Sequence, residues 1–389
     1  MNILIITTNS PYYEVTGPAL GGAEVSLRIL AEELAKTENG VFYLTRTDSR
    51  RSERLINGVH VTFFPVRTIP LLGRKIGSIR ERNLALMEKR YISEIDRIIR
   101  ERKIDIIHTY GTYPDTYAAL KAANGKGIPT CQRIAGRATI DDTKDEVNGE
   151  RNLSVLNEVD LLMPISRFLD DEIRQHPDIR NETEIVDIGI DIPDESRVSP
   201  DKDRSDGLIR VISVSSFKNV AKRQDILIEG LRDAMGENDN IRMTFIGDGP
   251  NLGKCKELAG KLGISGKIEF MGRCTREETL KELRNSDIFV HCTEHEGLGK
   301  SVLEAMSFGK PVLVSDVPAL DEYVVDGKNG ILVENEPISF SEKLILLSRD
   351  HSLRESLGKG AREYSLKKLD PGVNVMRYLD IFKRLKERH

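Results

Sequence analysis

Short apolar runs alternate with longer amphipathic segments along nearly the whole chain, and this alternation constrains the fold more than any other feature. In the first half, the apolar runs occupy residues 2–7, 40–45, 59–64, 105–109, 128–134, 160–166 and 184–188. The segments between them carry apolar residues at helical spacing, as in GGAEVSLRILAEELAK. Continuous apolar strands that alternate with helices predict a parallel sheet with helices on both faces.

The same alternation restarts after a polar, proline-containing stretch, IPDESRVSPDKDRSDG. Further apolar runs lie at 209–215, 242–247, 267–272, 287–292, 311–315 and 330–333. We therefore predict two tandem Rossmann-like, doubly wound α/β domains at 1–193 and 208–370, joined by a linker at 194–207. Because ligands of such sheets bind where the strand order reverses, the two domains are expected to face each other across a cleft. Residues 371–389 are predicted to form one more amphipathic helix. Whether this helix packs against the first domain is left open by the sequence.

Length, net charge and cysteine content exclude some classes of protein but do not identify the reaction. A length of 389 residues fits two domains, and a net charge of −4 gives no general attraction to nucleic acid or to an anionic membrane. The N-terminal run has no basic flank, and no stretch approaches the roughly 18 apolar residues of a membrane span. Four cysteines without a CxxC pair suggest free thiols in a reducing compartment. We expect a cytoplasmic protein with no nucleic-acid partner.

One segment, HCTEHEGLGKSVLEAM, places two glutamates on either side of a glycine-rich turn. Gly297 and Gly299 allow the backbone to approach a ligand closely, and a helix predicted to begin at Ser301 would direct unpaired N–H groups into the turn. Such a turn suits a diphosphate. Two alternatives stay open, because Ser301 and Glu304 also match a capping box and Glu296 also fits a solvated loop carboxylate.

The order of several motifs carries a family resemblance. In the second half they are FIGDGP, KIEFMG, DIFVHC, EGLGKSVLEAM and EYVVDGKNGILV, and in the first half GGAE, DIIHTYG, GIPT and VDLLMPISRFL. In this order and spacing they closely resemble family 4 of the retaining, nucleotide-sugar-dependent glycosyltransferases (glycosyl transferases group 1), which have the GT-B fold. The resemblance covers nearly the whole chain. It implies a metal-independent hexosyltransferase, without a cofactor, that moves a sugar from a nucleoside diphosphate sugar to an acceptor hydroxyl in glycan, glycolipid or polysaccharide synthesis. The acceptor is a sugar, a lipid-linked molecule or a small molecule, and these alternatives stay open.

The resemblance also implies roles for individual residues on the donor side. Glu304 matches the glutamate that grips the ribose hydroxyls of the donor, and Glu296 matches the glutamate at the transferred sugar. The other donor-binding positions that it implies are Gly21, Gly22, Gly247, Gly249, Gly297, Leu298, Gly299, Lys300 and Ser301.

The basic residues after the strand VISVS depart from the family pattern. Ser216 stands where the family often has an arginine, whereas Lys222 takes the place of the family lysine. A leaving diphosphate needs positive charge, so we expect Lys222, together with Lys218 or Arg223, to neutralise it. The alternative for Lys222 is an exposed lysine at the start of a helix.

A second departure lies in the first domain. Many family members have a histidine before the glycine that follows the IPT strand, but here Ala135 precedes Gly136. Arg133 and Arg137 are therefore candidates for the sugar or acceptor side. His108 is a third candidate, for which a histidine satisfied at a strand end is the alternative.

Residues 67–80 mix apolar and basic side chains, which fits either a peripheral membrane or lipid-acceptor contact or the solvated face of a surface helix. No metal site is predicted, because His291 and His295 lie across a strand end and a loop. Metal-dependent glycosyltransferases of the other common fold need an Asp-x-Asp motif at the end of a strand. The obvious match here, Asp201-x-Asp203, lies in the predicted linker, which favours a solvated run of charges. Two other functions on the same fold stay open: a sugar-nucleotide 2-epimerase and a non-catalytic protein that only binds sugar nucleotides.

Overall fold

A computed structural model describes residues 1–8, 11–12, 22–47, 49–66, 77–194, 198 and 206–389. These residues form two compact units. Unit 1 comprises Met1–Gly189 and Pro371–His389, and unit 2 comprises Ile190–Asp370. The predicted linker at 194–207 lies for the most part outside the described residues.

The described part of unit 1 contains a seven-stranded sheet with the order β3-β4-β2-β1-β5-β6-β7. Its strands are β1 Asn2–Thr7, β2 Gly40–Thr47, β3 Ser52–Ile56, β4 Val59–Pro65, β5 Ile106–Thr109, β6 Thr130–Ile134 and β7 Leu161–Pro164. The helices that precede the unit boundary are α1 Gly22–Ala35, α2 Gly77–Arg102, α3 Asp115–Ala123, α4 Ala138–Asp141, α5 Gly149–Glu158 and α6 Arg167–Gln175. The predicted doubly wound parallel sheet is confirmed, and its strand order reverses between β1 and β5.

Strand β3 is the exception to the parallel arrangement, and its apolar pattern did not predict it. It runs antiparallel to β4 at the edge of the sheet, with Ile56 paired to Val59. Asn57 and Gly58 form the connecting turn with φ of 48° and 83°. Positive φ at both central residues is the geometry that a two-residue hairpin favours, so the Asn-Gly pair was the available sequence signal.

Residues 184–188 do not form the strand that their apolar pattern predicted. The stretch borders β7 through two backbone hydrogen bonds, in which Glu184 N donates to Leu162 O and Val186 N donates to Pro164 O, both at 2.9 Å. Only an isolated bridge between Leu162 and Thr183 is present in this described segment. The pairing is too irregular to extend the sheet.

The described part of unit 2 contains a six-stranded sheet with the order β10-β9-β8-β11-β12-β13, in which all paired strands are parallel. Its strands are β8 Ile209–Val214, β9 Ile241–Ile246, β10 Ile268–Gly272, β11 Ile288–His291, β12 Val312–Ser315 and β13 Ile331–Val333. Its helices are α7 Gln224–Glu237, α8 Leu252–Lys261, α9 Arg276–Asn285, α10 Lys300–Ser307, α11 Pro337–Arg349 and α12 His351–Lys368. The strand order reverses between β8 and β11.

The helix α13, Pro371–Arg388, completes unit 1. Its Tyr378 and Phe382 are buried in the same apolar cluster as Ile3 and Ile5 of β1. Both Arg377 and Arg384 pair with Glu184, which anchors the helix at the surface. The core of unit 1 therefore combines residues from both ends of the chain.

No helix in the described ranges is long and apolar enough to cross a bilayer. Residues 67–76 of the predicted membrane contact at 67–80 lie outside those ranges, and the contact stays a prediction.

Candidate functional site

Two loops at the carboxyl edge of unit 2 are tied together where the strand order reverses. One follows β8 and contains Lys222, and the other follows β11 and contains Glu296. Glu294 N donates to Ala221 O at 2.8 Å, and Thr293 Oγ1 donates to the same carbonyl at 3.2 Å. These bonds hold the two loops in a fixed relation, at the position where doubly wound sheets bind ligands.

Glu296 lies in a cluster with one lysine and one histidine. Its Oε1 accepts from Lys222 Nζ, and it also accepts from His291 Nε2 at 2.9 Å. Burial by itself raises the pKa of Glu296, but the hydrogen bond from His291 and the charge of Lys222 lower it to about 2. The solvated-loop alternative for Glu296 is therefore wrong, because this carboxylate is enclosed and paired.

His291 was considered only as a metal ligand, and that view missed its contact with Glu296. It is the last residue of β11 and is 2% exposed. Burial lowers the pKa of His291 below its ordinary value, so the neutral ring donates its Nε2 proton to the carboxylate. His291, at the end of β11, thus holds the Glu296 carboxylate in place through this hydrogen bond.

Glu304 is held by two cations. Its Oε1 lies 2.7 Å from Arg276 Nη1 and 3.3 Å from Lys300 Nζ. The second guanidinium nitrogen, Arg276 Nη2, lies 3.2 Å from Asp191 Oδ2. Burial raises the pKa of Glu304, but Lys300 and Arg276 more than offset this, and the pKa is lowered overall. Glu304 is therefore a charged carboxylate in a buried position.

The capping-box alternative for Ser301 and Glu304 is wrong. Helix α10 begins at Lys300, one residue earlier than predicted, and its N-cap is Gly299 with φ of 70° and no side-chain cap. Glu304 therefore lies beyond the first turn, where its side chain cannot cap the helix start. A capping box does occur in unit 2, between Thr275 and Glu278 at the start of α9.

The turn after β9 requires glycine at two positions. Gly247 has φ of 141°, and a Cβ there would lie 1.8 Å from Ser215 O. Gly249 has φ of 153°, and a Cβ there would lie 2.4 Å from the carbonyl carbon of Phe217. No side chain fits between this turn and the loop after β8, so main chain lines this part of the edge.

Tyr323 supports the loop that contains Gly297, Leu298 and Gly299. Its Oη lies 2.7 Å from Leu298 O and 3.3 Å from Gly299 O and donates to these carbonyls. The ring is 3% exposed. Nothing in the sequence pattern indicated this contact, because it joins residues 25 positions apart.

Ser216, which replaces the family arginine, and the basic candidates Lys218 and Arg223 differ in their surroundings. Ser216 is exposed, and its Oγ accepts from the backbone N of Lys218 at 3.2 Å. The Lys218 side chain is also exposed. Arg223 is bound to Asp225 at 3.0 Å and to Glu294 at 3.1 Å. Of the three predicted basic residues, Lys222 alone is brought onto Glu296.

In unit 1, His108 lies inside the core. Its ring packs against Tyr378 and Phe382 of α13 with centroid distances of 5.7 and 5.6 Å, and its Nδ1 is 3.3 Å from Cys131 Sγ. Burial, and then the charge of Arg133, lower the pKa of His108 to about 3. The side chain is fully enclosed, which favours the structural alternative over a role at the sugar.

The two arginine candidates of unit 1 are not brought together. Arg133 is 1% exposed, and its Nη2 donates to Ser26 Oγ on α1 at 2.9 Å. Arg137 lies on the surface before α4, where its Nε is 3.0 Å from Glu172 Oε2. Gly22 begins α1, and Gly21 lies outside the described residues.

Within the described part of the chain, no group of three or more His, Cys, Asp or Glu side chains is arranged to hold a metal ion.

Two family models match this chain almost from end to end. The model described as Glycosyltransferase Family 4 matches residues 20–193, and the one described as Glycosyl transferases group 1 matches residues 195–364. The chain belongs to this glycosyltransferase family. The predicted enzyme class, a glycosyltransferase, is thereby confirmed.

Two similar proteins align with most of this glycosyltransferase. An uncharacterised glycosyltransferase of Methanocaldococcus jannaschii is 25% identical over 369 residues, which cover 94% of this chain and 95% of the relative. The alpha-monoglucosyldiacylglycerol synthase of Streptococcus pneumoniae is 25% identical over 346 residues, covering 82% and 73%.

A solved structure supports the fold. HepE of Anabaena, in complex with UDP-glucose, superimposes with a TM-score of 0.73 over 99% of this glycosyltransferase and 100% of HepE, at 16% identity. This likeness confirms the predicted GT-B fold class.

Proposed function

We propose that this glycosyltransferase moves a hexose from a nucleoside diphosphate sugar to an acceptor hydroxyl, with retention of configuration and without a metal ion. In this proposal Glu304 binds the ribose, Glu296 binds the transferred sugar and Lys222 neutralises the diphosphate. The observation that carries it is the pair of charged glutamates, Glu304 buried and Glu296 largely buried, at the edge of unit 2 where ligands of such sheets bind.

In both glutamates the hydrogen bonds and ion pairs go to Oε1, so Oε2 is the oxygen proposed to bind the ligand. In each cluster the basic or N–H donors reach Oε1. No hydrogen bond to Oε2 of either glutamate comes from the described residues. A carboxylate oxygen that is charged and unshared accepts strongly from a sugar hydroxyl. The geometry therefore supports binding of two hydroxyl-bearing groups, one at each glutamate.

Lys222 changes partner in this mechanism. Its ammonium is paired with Glu296. A diphosphate at the loop would attract the same ammonium, which would then stabilise the negative charge that develops on the leaving phosphate. Glu296 would be released towards the sugar while His291 still holds its Oε1. Catalysis would consist of positioning and charge stabilisation, with no covalent intermediate.

We propose that the acceptor is a hydroxyl of a glycan, glycolipid or polysaccharide precursor. The pneumococcal relative is named for a glycolipid, which supports a lipid-linked acceptor among these. HepE binds UDP-glucose, which supports a uridine nucleotide as the first donor to test.

A binding experiment tests the donor site. Thermal unfolding would be followed with UDP, GDP and ADP, since a ligand at 100 times its Kd stabilises the native state by about 2.7 kcal/mol. We expect one nucleotide to raise the Tm of the wild type, and Glu304→Ala to lose most of that shift. Glu257→Ala, an exposed residue of α8, is the matched control and should keep it. No shift with any nucleotide would overturn the proposed donor class.

Activity measurements test the reaction. Transfer from the bound sugar nucleotide to a panel of sugar and lipid acceptors should persist in EDTA, and NMR of the product should show the anomeric configuration of the donor. Inversion, or activity that returns only with a divalent ion, would contradict the proposed chemistry. An epimer formed without any acceptor would indicate an epimerase instead.

A further inference from the structure

Arg276 joins the donor side of unit 2 to the first residues of that unit. It is the first residue of α9, whose start is fixed by the capping box of Thr275 and Glu278. One guanidinium nitrogen donates to Glu304 Oε1 at 2.7 Å, and the other donates to Asp191 Oδ2 at 3.2 Å. The guanidinium therefore bridges two carboxylates that lie 113 positions apart in the chain, at 191 and 304.

The bridge acts on one side of the Glu304 carboxylate. Lys300 Nζ, one turn earlier on α10, lies 3.3 Å from the same Oε1. Two cations on one oxygen hold the plane of the carboxylate, because a partial rotation would weaken both contacts and a half-turn only exchanges two equivalent oxygens. Glu304 itself is 7% exposed, so little solvent competes with them. As a result, Oε2 is presented in a fixed direction.

We propose that Arg276 is a positioning residue for recognition of the donor ribose, with Asp191 holding its guanidinium in place. By fixing Oε1, it makes Oε2 the single atom of Glu304 that accepts from the ribose hydroxyls. This inference rests on the proposed function, since it assumes that the ribose of a nucleotide lies at Glu304.

Lysine cannot replace arginine fully at this position. The two nitrogens of a planar guanidinium reach two carboxylates at once, whereas an ammonium is a point charge on a flexible stem. Arg276→Lys should therefore keep a contact with Glu304 and lose the one with Asp191. Asp191 is half exposed, and an exposed ion pair contributes little on its own. We expect loss of Asp191 to have a smaller effect than loss of Arg276.

The measurable consequence is discrimination between nucleotides with and without ribose hydroxyls. A hydrogen bond to a charged group that is made to one ligand and missing in another separates their affinities by about 10- to 100-fold. A loosened Glu304 would lose much of this factor. A general weakening of unit 2 would lower both affinities together and leave their ratio unchanged.

The experiment compares UDP, GDP and ADP with their 2′,3′-dideoxy forms by calorimetry, in the wild type, in four test variants and in one control variant. For the nucleotide that binds, we expect a wild-type ratio of Kd values of about 30, from the range given above for such a bond. Arg276→Ala should reduce the ratio to about 3 or less, with Arg276→Lys and Asp191→Asn in between. Arg232→Ala, an exposed arginine of α7, is the control and should keep the full ratio.

The fourth variant, Glu304→Ala, separates this inference from the proposed function. If Glu304→Ala keeps the wild-type ratio, the ribose does not lie at Glu304, and the proposed donor assignment fails together with this inference. If Glu304→Ala removes the ratio while a folded Arg276→Ala keeps it, only this inference is overturned. Should Arg276→Ala not fold, a wild-type ratio in both Arg276→Lys and Asp191→Asn overturns it equally.

Discussion

In each unit a carboxyl group with little exposure to solvent lies where the strand order reverses, but only the group in unit 2 has a cation as a hydrogen-bond partner. In unit 1, Asp115 follows β5 and is bound by neutral donors, Thr8 Oγ1 at 3.0 Å and Thr116 N at 3.1 Å. Burial raises its pKa from the ordinary 3.8 to about 6. In unit 2, Glu296 has Lys222 and His291 as partners, and its pKa falls to about 2.

The difference shows that burial alone does not decide the charge of a carboxyl group at such an edge. Desolvation favours the protonated acid in both units, and a neighbouring cation reverses that preference only in unit 2. The edge of unit 2 thus holds opposite charges in contact. Such an edge can exchange one ion-pair partner for a charged ligand, whereas in unit 1 the charge of Arg46 lowers the pKa of Asp115 too little to offset its burial.

Removal of Lys222, the cation beside Glu296, should have the largest effect on activity. Lys222→Ala should lower kcat by about 100-fold, because a single charged donor to a developing oxyanion contributes about 10²–10³ in rate. Steady-state transfer rates would measure this, with Lys254→Ala on the exposed face of α8 as the control. A variant with near-normal kcat would exclude Lys222 from the diphosphate site.

Removing the histidine should weaken the same cluster less. His291→Phe keeps an aromatic ring beside Phe289 but loses the proton that Nε2 donates to Glu296. We expect kcat/KM to fall about 10-fold, as for loss of one charge-assisted hydrogen bond. The pKa of Glu296 should rise, so the acid limb of the pH–rate profile should move to higher pH than in the wild type. An unchanged acid limb would show that His291 does not tune this carboxylate.

The raised pKa of Asp115 in unit 1 predicts how the free energy of unfolding depends on pH. A raised carboxyl pKa favours the folded state most below the unfolded value of 3.8, and this contribution is lost as pH rises through about 6. From pH 5 to 8, Asp115 should therefore cost the wild type about 1.4 kcal/mol of unfolding free energy. Urea unfolding at both pH values would measure this, and Asp115→Asn should lack this part of the pH dependence. Equal pH dependence in both proteins would contradict the raised pKa.

The smallest effects should come from the two basic residues that flank Lys222. Arg223 is already bound to Asp225 and Glu294, whereas the Lys218 side chain is exposed. We expect Lys218→Ala to raise the donor KM about threefold, in the range of a screened surface charge, and Arg223→Ala to change it less. The reverse order would assign to Arg223 the role of the arginine that is missing at Ser216.

Periodicity was enough to predict the α/β architecture, since buried parallel strands are continuous apolar runs. It failed at β3, whose exposed, charged residues Glu53 and Arg54 hide an edge strand, and at 184–188, where apolar residues border β7 without regular pairing. Local motifs predicted Lys222 and Glu304. They did not indicate Tyr323 or Arg276, because these act through contacts between residues distant in sequence.

The return of α13 to unit 1 has a consequence for synthesis of the chain. A ribosome completes residues 1–189 long before it makes the helix that covers Ile3 and Ile5, because the 181 residues from 190 to 370 come first. At 5–20 residues per second this interval lasts roughly 10–40 s. During that time the nascent first half exposes the apolar surface that Tyr378 and Phe382 later cover, and surfaces of this kind are prone to aggregation.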